Sequence, residues 1–331
     1  MKKLLFLVII IIVASFFYFF WLVSTPVSAQ KTPVYFMVEP GQTLAEVAQN
    51  LEVAGLIKSS LAFKIYAKIR GWQSRLIAGN HLLAKNMASR EILRLLISRD
   101  NLKNERSITV IEGWRLEEIA DYLAANNIVA KKDFLAAALT TDWQNQYGFL
   151  KGVETKTLEG FLFPDTYRLF LNATAKDIVK KMLDNFDHKL TDQMRSDLTQ
   201  AGRNILAVVN LASIIEKEVP KNEDKKMVAD IFLKRLKANI ALQSDATINY
   251  LTQKGQVQPT LADLAIDSPY NTYKYRGLPP GPIANPGLGS IEAVIYPTKN
   301  SYYYFLTTDN GTVIYSQTYE EHLANKAKYL N

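Results

Sequence analysis

The tightest constraint on this chain is a block of twenty residues, Leu4 to Val23, that carries no charge. As a helix rising about 1.5 Å per residue it is ~30 Å long, the thickness of a bilayer's hydrocarbon core. Lys2 and Lys3 precede it, so the positive-inside rule puts the N-terminus in the cytoplasm and the rest of the chain outside. Tyr18 and Trp21 near its far end suit a membrane–water interface. Val27-Ser28-Ala29 also resembles a signal-peptide cleavage site, but signal peptides have apolar regions of about 7–15 residues, so length favours an uncleaved anchor. Either way, roughly 300 residues are exported. The 331-residue chain has no cysteine, so its exported part is held by its cores rather than by disulfides. It has only three histidines, His81, His188 and His322, far apart in sequence and without an HExxH motif. A histidine-built metal site and a catalytic thiol are thereby disfavoured, and no metal or cofactor is expected. Hydrolytic or lyase chemistry would have to rest on carboxylates. The net charge of +7 is spread along the chain. With no base-reading motif in an exported chain, it gives a nucleic-acid role no support.

After a linker at Pro26 to Pro33, Val34 to Val38 reads as a strand, and Pro40-Gly41-Gln42-Thr43 as a turn. Thr43 and Glu46 have capping-box spacing ahead of a helix bearing Leu44, Val47, Ala48 and Leu51. The pattern returns 72 positions later: a strand at Ile108 to Ile111, a turn at Glu112-Gly113-Trp114-Arg115, then Leu116, Ile119, Ala120 and Leu123. Gly41 matches Gly113 and Glu46 matches Glu118, so an internal strand–turn–helix repeat is expected. Residues 39–48 resemble the opening of LysM modules, which bind peptidoglycan glycans. Between the repeats, Ala88 to Ser98 reads as a helix with Ser89 as its cap. Gly160 to Tyr167 is an aromatic loop or strand edge, and Ala175 to Leu190 a charged amphipathic helix.

Ile205 to Glu218 is apolar nearly all round, so a central buried helix is expected, stopped by Pro220. It ends in two carboxylates, Glu216 and Glu218. Behind Glu218 lie Ile215, Ile214 and Leu211; behind Glu216 lie Ser213, Ala212 and Val209. Glu218 therefore continues the more apolar stripe. Desolvation and the helix's negative end should raise its pKa and keep a proton on it near neutrality, the state a general acid needs. The alternative is that both are solvated at a frayed end, paired with Lys217 or Lys221. Asn222 to Ala238 reads as an amphipathic helix with Lys225, Lys226, Lys234, Arg235 and Lys237 outward. Leu242-Gln243-Ser244-Asp245 leads into a helix at Ala246 to Leu251, with Ser244 or Asp245 as cap. Residues 277–287 hold four prolines and three glycines, a rigid irregular loop. The tyrosine- and asparagine-bearing segment before it offers flat apolar faces with polar tips, which suit sugar rings. Residues 301–305 and 312–315 flank an Asn310-Gly311 hairpin turn.

Together, Val110-Ile111-Glu112-Gly113, Gly160 to Tyr167, Ala212 to Glu218, Leu242 to Asp245, Tyr270 to Tyr273 and Gly277 to Ile283 resemble the YceG-like endolytic murein transglycosylases. The order is kept over nearly the whole chain. One departure is Ala246, where that family more often has proline. The resemblance implies an α+β protein of the cell inner membrane: a single-pass anchor and linker (1–29), a LysM-like α/β region with the internal repeat (30–160) and a periplasmic mixed α+β catalytic domain (161–331). It implies cleavage of the β-1,4 bond between N-acetylmuramic acid and N-acetylglucosamine in nascent strands, leaving 1,6-anhydro ends, beside peptidoglycan synthases. It places the catalytic residue at Glu218, where the apolar-stripe argument also points. Glu216 is then a supporting carboxylate. Gln243, Asp245, Tyr270 and Asn271 are candidates to shape the site or orient the sugar. A glycan-binding scaffold and a hydrolase of the same bond are the alternatives.

Overall fold

The computed structural model describes residues 2–29, 31, 33–98, 105–171, 173–254, 259–308 and 310–330, with the side chains of residues 2–5 excluded. The side chains of Lys2 and Lys3, linker positions Gln30 and Thr32, and Asp309 of the hairpin turn lie outside that description. The protein is a mixed α+β structure whose strands form three two-stranded sheets among the described residues.

The chain forms two compact units, residues 1–107 with 168–171, and residues 108–167 with 172–331. The first begins with helix α1 (Lys2–Ser24), whose stretch Phe6–Ser24 is long and apolar enough to cross a membrane. Strand β1 (Pro33–Val38) leads through a turn into α2 (Leu44–Val53), then α3 (Ser60–Ile69), β2 (Gly79–Ala84) and α4 (Ser89–Ile97). The strands pair antiparallel, with Pro33 opposite Ala84 and Val38 opposite Gly79. Thr43 and Glu46 form the expected reciprocal cap, the Thr43 N–H donating to Glu46 Oε2 at 2.8 Å. Phe36, Val38, Val47, Leu51, Phe63, Leu83, Ile92 and Leu96 close the core over this hairpin. Ser89 does not cap α4. It is the first helical residue and is buried, and the Ala88 N–H donates instead to Glu91 Oε2 at 2.9 Å. His81 is fully buried in this core.

Strand β3 (Glu105–Thr109) pairs with β4 (Thr166–Phe170). Between them come α5 (Leu116–Ala125) and α6 (Lys131–Ala137). After β4 the chain continues through α7 (Ala175–Lys189), α8 (Asp192–Gln200), α9 (Ile205–Glu218), α10 (Asn222–Lys237), α11 (Asp245–Thr252) and the single turn α12 (Leu261–Leu264). It ends with α13 (Leu288–Ile295), the antiparallel hairpin β5 (Tyr304–Thr307) and β6 (Val313–Ser316), and α14 (Tyr319–Tyr329). Gly41 and Gly113, in the turns before α2 and α5, both take positive φ, 86° and 79°, which only glycine adopts without strain.

The centre of the second unit is α9, packed against α10, α11 and α13. Every residue from Val208 to Ile215 is buried, as an all-round apolar helix requires. Its two buried polar side chains grip the proline-rich loop: Asn210 Nδ2 donates to the Pro279 carbonyl at 2.7 Å, and Ser213 Oγ accepts from the Ile283 N–H at 3.0 Å. Helix α10 departs from the expected pattern. Lys225 and Arg235 point inward and are buried, because each has a specific polar partner inside.

Candidate active site at the end of helix α9

Pro220 stops α9 so that Val219 turns extended, and Glu216 and Glu218 are delivered to two different environments. Glu216 is buried in a complete polar cage. Lys225 Nζ sits 2.9 Å from its Oε1, while the Gly287 N–H and Ser290 Oγ donate to its Oε2 at 2.9 and 2.7 Å. The two donors open α13, so the carboxylate meets a helix N-terminus as well as a cation. Neither Lys217 nor Lys221 is its partner, and Lys217 Nζ reaches the Gly113 carbonyl at 3.3 Å.

Glu218 has no such cation among the described residues. It is half-buried, with a solvent-facing edge, yet dense protein around the carboxyl desolvates it. Burial is the largest cause that pushes its pKa up to about 7, and the nearby charge of Asp245 adds to it. Two donors oppose the rise, the Ser244 hydroxyl, which donates to Oε1, and the Ala246 N–H. Ser244 occupies the N-cap position of α11 but makes no side-chain cap, because its hydroxyl is turned to Glu218. The first turn of α11 thus serves the carboxylate instead of itself.

The loop carrying Gln243 and Ser244 is clamped from the far side. The Gln243 N–H donates to the Thr272 carbonyl and the Ser244 N–H to Thr272 Oγ1, both at 3.1 Å. Gln243 adopts φ 51°, a left-handed conformation that costs a non-glycine residue and needs such a clamp. Its Oε1 accepts from Arg235 at 2.8 Å, which explains the buried arginine of α10. Asp245 accepts a hydrogen bond from the Tyr273 hydroxyl. Tyr270 is half-buried, its ring 5.0 Å from that of Tyr250. Of the two roles expected of Asn271, its surroundings favour shaping the site. It is fully buried, with Nδ2 donating to the Leu264 and Ile266 carbonyls at 2.9 and 2.8 Å and Oδ1 accepting from the Tyr273 N–H at 3.0 Å. It cannot touch a sugar; it shapes the loop that presents Tyr270 and Tyr273.

Sequence reasoning missed a second hub, built on Glu159 and Asn285. Asn285 Oδ1 accepts from the N–H groups of Gly160 and Leu162 at 2.9 and 3.0 Å, and its Nδ2 donates to the Trp114 carbonyl and to Glu159 Oε1, both at 3.0 Å. Glu159 also accepts the Leu116 N–H at 2.9 Å, at the start of α5. Burial outweighs that bond and the nearby charge of Arg115, and it pushes the Glu159 pKa up to about 8. Gly160 admits this crossing: a Cβ there would stand 2.5 Å from Pro282 and 2.8 Å from Val209. Neither a lone Glu nor an Asn in a proline-rich loop carries a sequence signal for such a role. Among the described residues, no group of three His, Asp or Glu is arranged to hold a metal ion.

The chain as a whole has known relatives. The profile of the YceG-like family matches residues 36–328. The chain is 34% identical to an endolytic murein transglycosylase of Bacillus subtilis over 91% of its own length and 86% of that protein. It is 31% identical to an endolytic murein transglycosylase of Streptococcus pneumoniae strain D39 over 92% of its length, but that match spans 60% of the longer relative. The crystal structure of a YceG-like protein from Listeria monocytogenes superposes with a TM-score of 0.62 at 32% identity, covering 90% of this chain and all of that one. The chain belongs to the YceG-like family.

Proposed function

We propose that this protein is an endolytic murein transglycosylase, a lyase that cuts the bond between N-acetylmuramic acid and N-acetylglucosamine in peptidoglycan strands. Relatives at 31–34% identity over most of the chain carry that name. The observation that carries the assignment to a residue is Glu218: desolvated, with a pKa near 7, contacted by a hydroxyl and an amide but by no described cation. A carboxyl in that state is protonated in a large fraction of molecules at neutral pH, which suits it to donate.

In the mechanism, protonated Glu218 gives its proton to the glycosidic oxygen as the bond to the muramic acid C1 breaks. The C6 hydroxyl of the same sugar then attacks C1, and Glu218, now ionised, takes the hydroxyl proton. Its hydrogen bonds from Ser244 and Ala246 support the ionised form between the two steps. The 1,6-anhydro ring closes, Glu218 is restored, and no water is consumed. A second carboxylate to activate water, as an inverting hydrolase requires, has no task here. Gln243, which is exposed, and half-buried Tyr270 and Asp245 offer polar tips and a ring face to the sugars.

Phe6–Ser24 serves as a single-pass anchor in the cell inner membrane, with the N-terminus cytoplasmic and the rest periplasmic. Residues 30–160 form a LysM-like glycan-binding region ahead of the catalytic region at 161–331. Cleavage of nascent strands places the enzyme beside peptidoglycan synthases. Product analysis of wild type beside Glu218→Gln tests the core of this. Wild type should release anhydro-ended fragments, one water lighter than reducing ends, and the variant should release none. Reducing ends from wild type would make it a hydrolase, and unchanged release by the variant would remove Glu218 as the catalyst.

A further inference from the structure

The first unit presents an apolar edge that its own core does not use. Helix α3 buries Ala62, Phe63 and Ala67. On its outer side Leu61, Ile65 and Ile69 recur four residues apart, 62%, 41% and 70% exposed, and so form one row along the helix. No acidic residue lies within α3, while Lys64 and Lys68 flank the row and Arg70 caps its end. Apolar residues in one row flanked by basic ones are the pattern of a helix lying in a membrane interface.

The position of α3 within this unit says which surface would cover that row. It packs against α1. Lys58, in the turn that enters α3, places its Nζ 3.8 Å from the Trp21 ring centroid and 2.5 Å from Thr25 Oγ1. Trp21 and Thr25 mark the end of the membrane-length helix, so the start of α3 stands where that helix leaves the bilayer. The same end is fastened to the unit elsewhere. Val23 is buried, and the Ser28 N–H donates to the Lys85 carbonyl at 3.0 Å. The anchor is therefore docked on the unit and holds α3 at headgroup level.

We propose that the Leu61–Ile65–Ile69 row is a second membrane contact, lying in the headgroup region of an anionic bilayer beside the emerging anchor helix, with Lys58, Lys64, Lys68 and Arg70 facing lipid phosphates. The inference rests on the reading of α1 as an anchor. It converts that anchor from a tether into a mount: one helix sets the depth of the first unit, and the other sets its tilt.

Because the chain has no cysteine, single cysteines report cleanly. Nitroxide labels on Ile65→Cys and Ile69→Cys are read in the full chain, reconstituted at low density in phosphatidylethanolamine–phosphatidylglycerol vesicles, by collision with oxygen and with a water-soluble nickel chelate. Val53→Cys, on a residue 84% exposed in the same unit, serves as the aqueous reference, and Ile11→Cys as the reference within α1. The expected result is that labels at 65 and 69 lose several-fold of their nickel collisions and gain oxygen collisions relative to 53, at interfacial depth. Labels at 65 and 69 as water-accessible as 53, with 11 deep in the bilayer, would overturn the second contact and leave the anchor standing. A water-accessible label at 11 would overturn the anchor itself. Protection at 65 and 69 that appears only as protein density rises would assign the row to a second copy of the chain and overturn the lipid contact.

Discussion

Two carboxylates two residues apart on one helix, Glu216 and Glu218, show how differently a protein can treat the same group. Glu216 is matched atom for atom by Lys225, a backbone N–H and a serine hydroxyl. Glu218 is desolvated without a described cation and keeps a half-open edge. A fully paired charge ties elements together: Glu216 joins α9, α10 and the start of α13. An underpaired one is free to trade a proton. The difference lies in what surrounds each side chain, since their chemistry is identical.

The comparison breaks most readily by exchanging the two roles. Glu218→Gln should lower transglycosylase turnover by roughly 10²–10⁴-fold, the usual contribution of a general acid–base group, with thermal stability unchanged or slightly higher because a poorly solvated carboxyl is gone. Glu216→Gln should behave in the opposite sense. It strands the Lys225 ammonium, which is 3% exposed, and breaking a buried pair from one side costs about 3–5 kcal/mol. Calorimetry should therefore show a large fall in melting temperature, while the protein that stays folded keeps its product profile. Equal losses of stability in both variants would mean that the two carboxylates share one structural role.

Glu159 sharpens the contrast, because it is buried like Glu216, and the charge of nearby Arg115 offsets only part of the cost of that burial. Its pKa is pushed from 4.5 up to about 8, so between those values the folded protein binds more protons here than the unfolded chain. Stability from this group is then present at low pH and lost as pH rises through that window. Glu218 adds the same sign between 4.5 and about 7. Denaturant unfolding from pH 5 to 8.5 should show wild type losing stability with pH and Glu159→Gln losing distinctly less. An unchanged slope in the variant would show that Glu159 is ionised in the folded state.

Local features of the fold were legible where one stretch of chain decides them. The bounds of α9 follow from an apolar run and a proline, and the Thr43 cap from residues three apart. The three apolar neighbours of Glu218 on its own helix point to a desolvated carboxyl, and burial does raise its pKa. What could not be read were partners brought from afar. Lys225 and Arg235 looked like members of a solvated basic face because periodicity cannot show that Glu216 and Gln243 wait inside. For Asn271 the choice between shaping the site and orienting the sugar stays open in the sequence, because a polar residue between tyrosines has no mark for being spent on loop carbonyls. The crossing of Glu159 and Asn285, more than a hundred residues apart, is set by packing that neither segment encodes alone.

The smallest effect reads the site most finely. Ser244 and Ala246 each donate to Glu218 and so favour its ionised form, while Asp245 opposes ionisation. If Glu218 is the proposed acid, the step that needs it protonated should lose rate as pH rises past about 7. Ser244→Ala removes one donor, so the Glu218 pKa should rise and the alkaline limb of kcat/KM should move up, by roughly one pH unit if the bond contributes about 1.5 kcal/mol. Ala246→Pro removes the other donor without touching a side chain, and the first turn of α11 tolerates a proline because its N–H groups have no intrahelical partner. The limb should again move up. Asp245→Asn should move it down. If all three left the limb in place, the group titrating in the rate would not be Glu218. If the two donor variants moved it in opposite directions, the first turn of α11 would not be acting on one carboxylate.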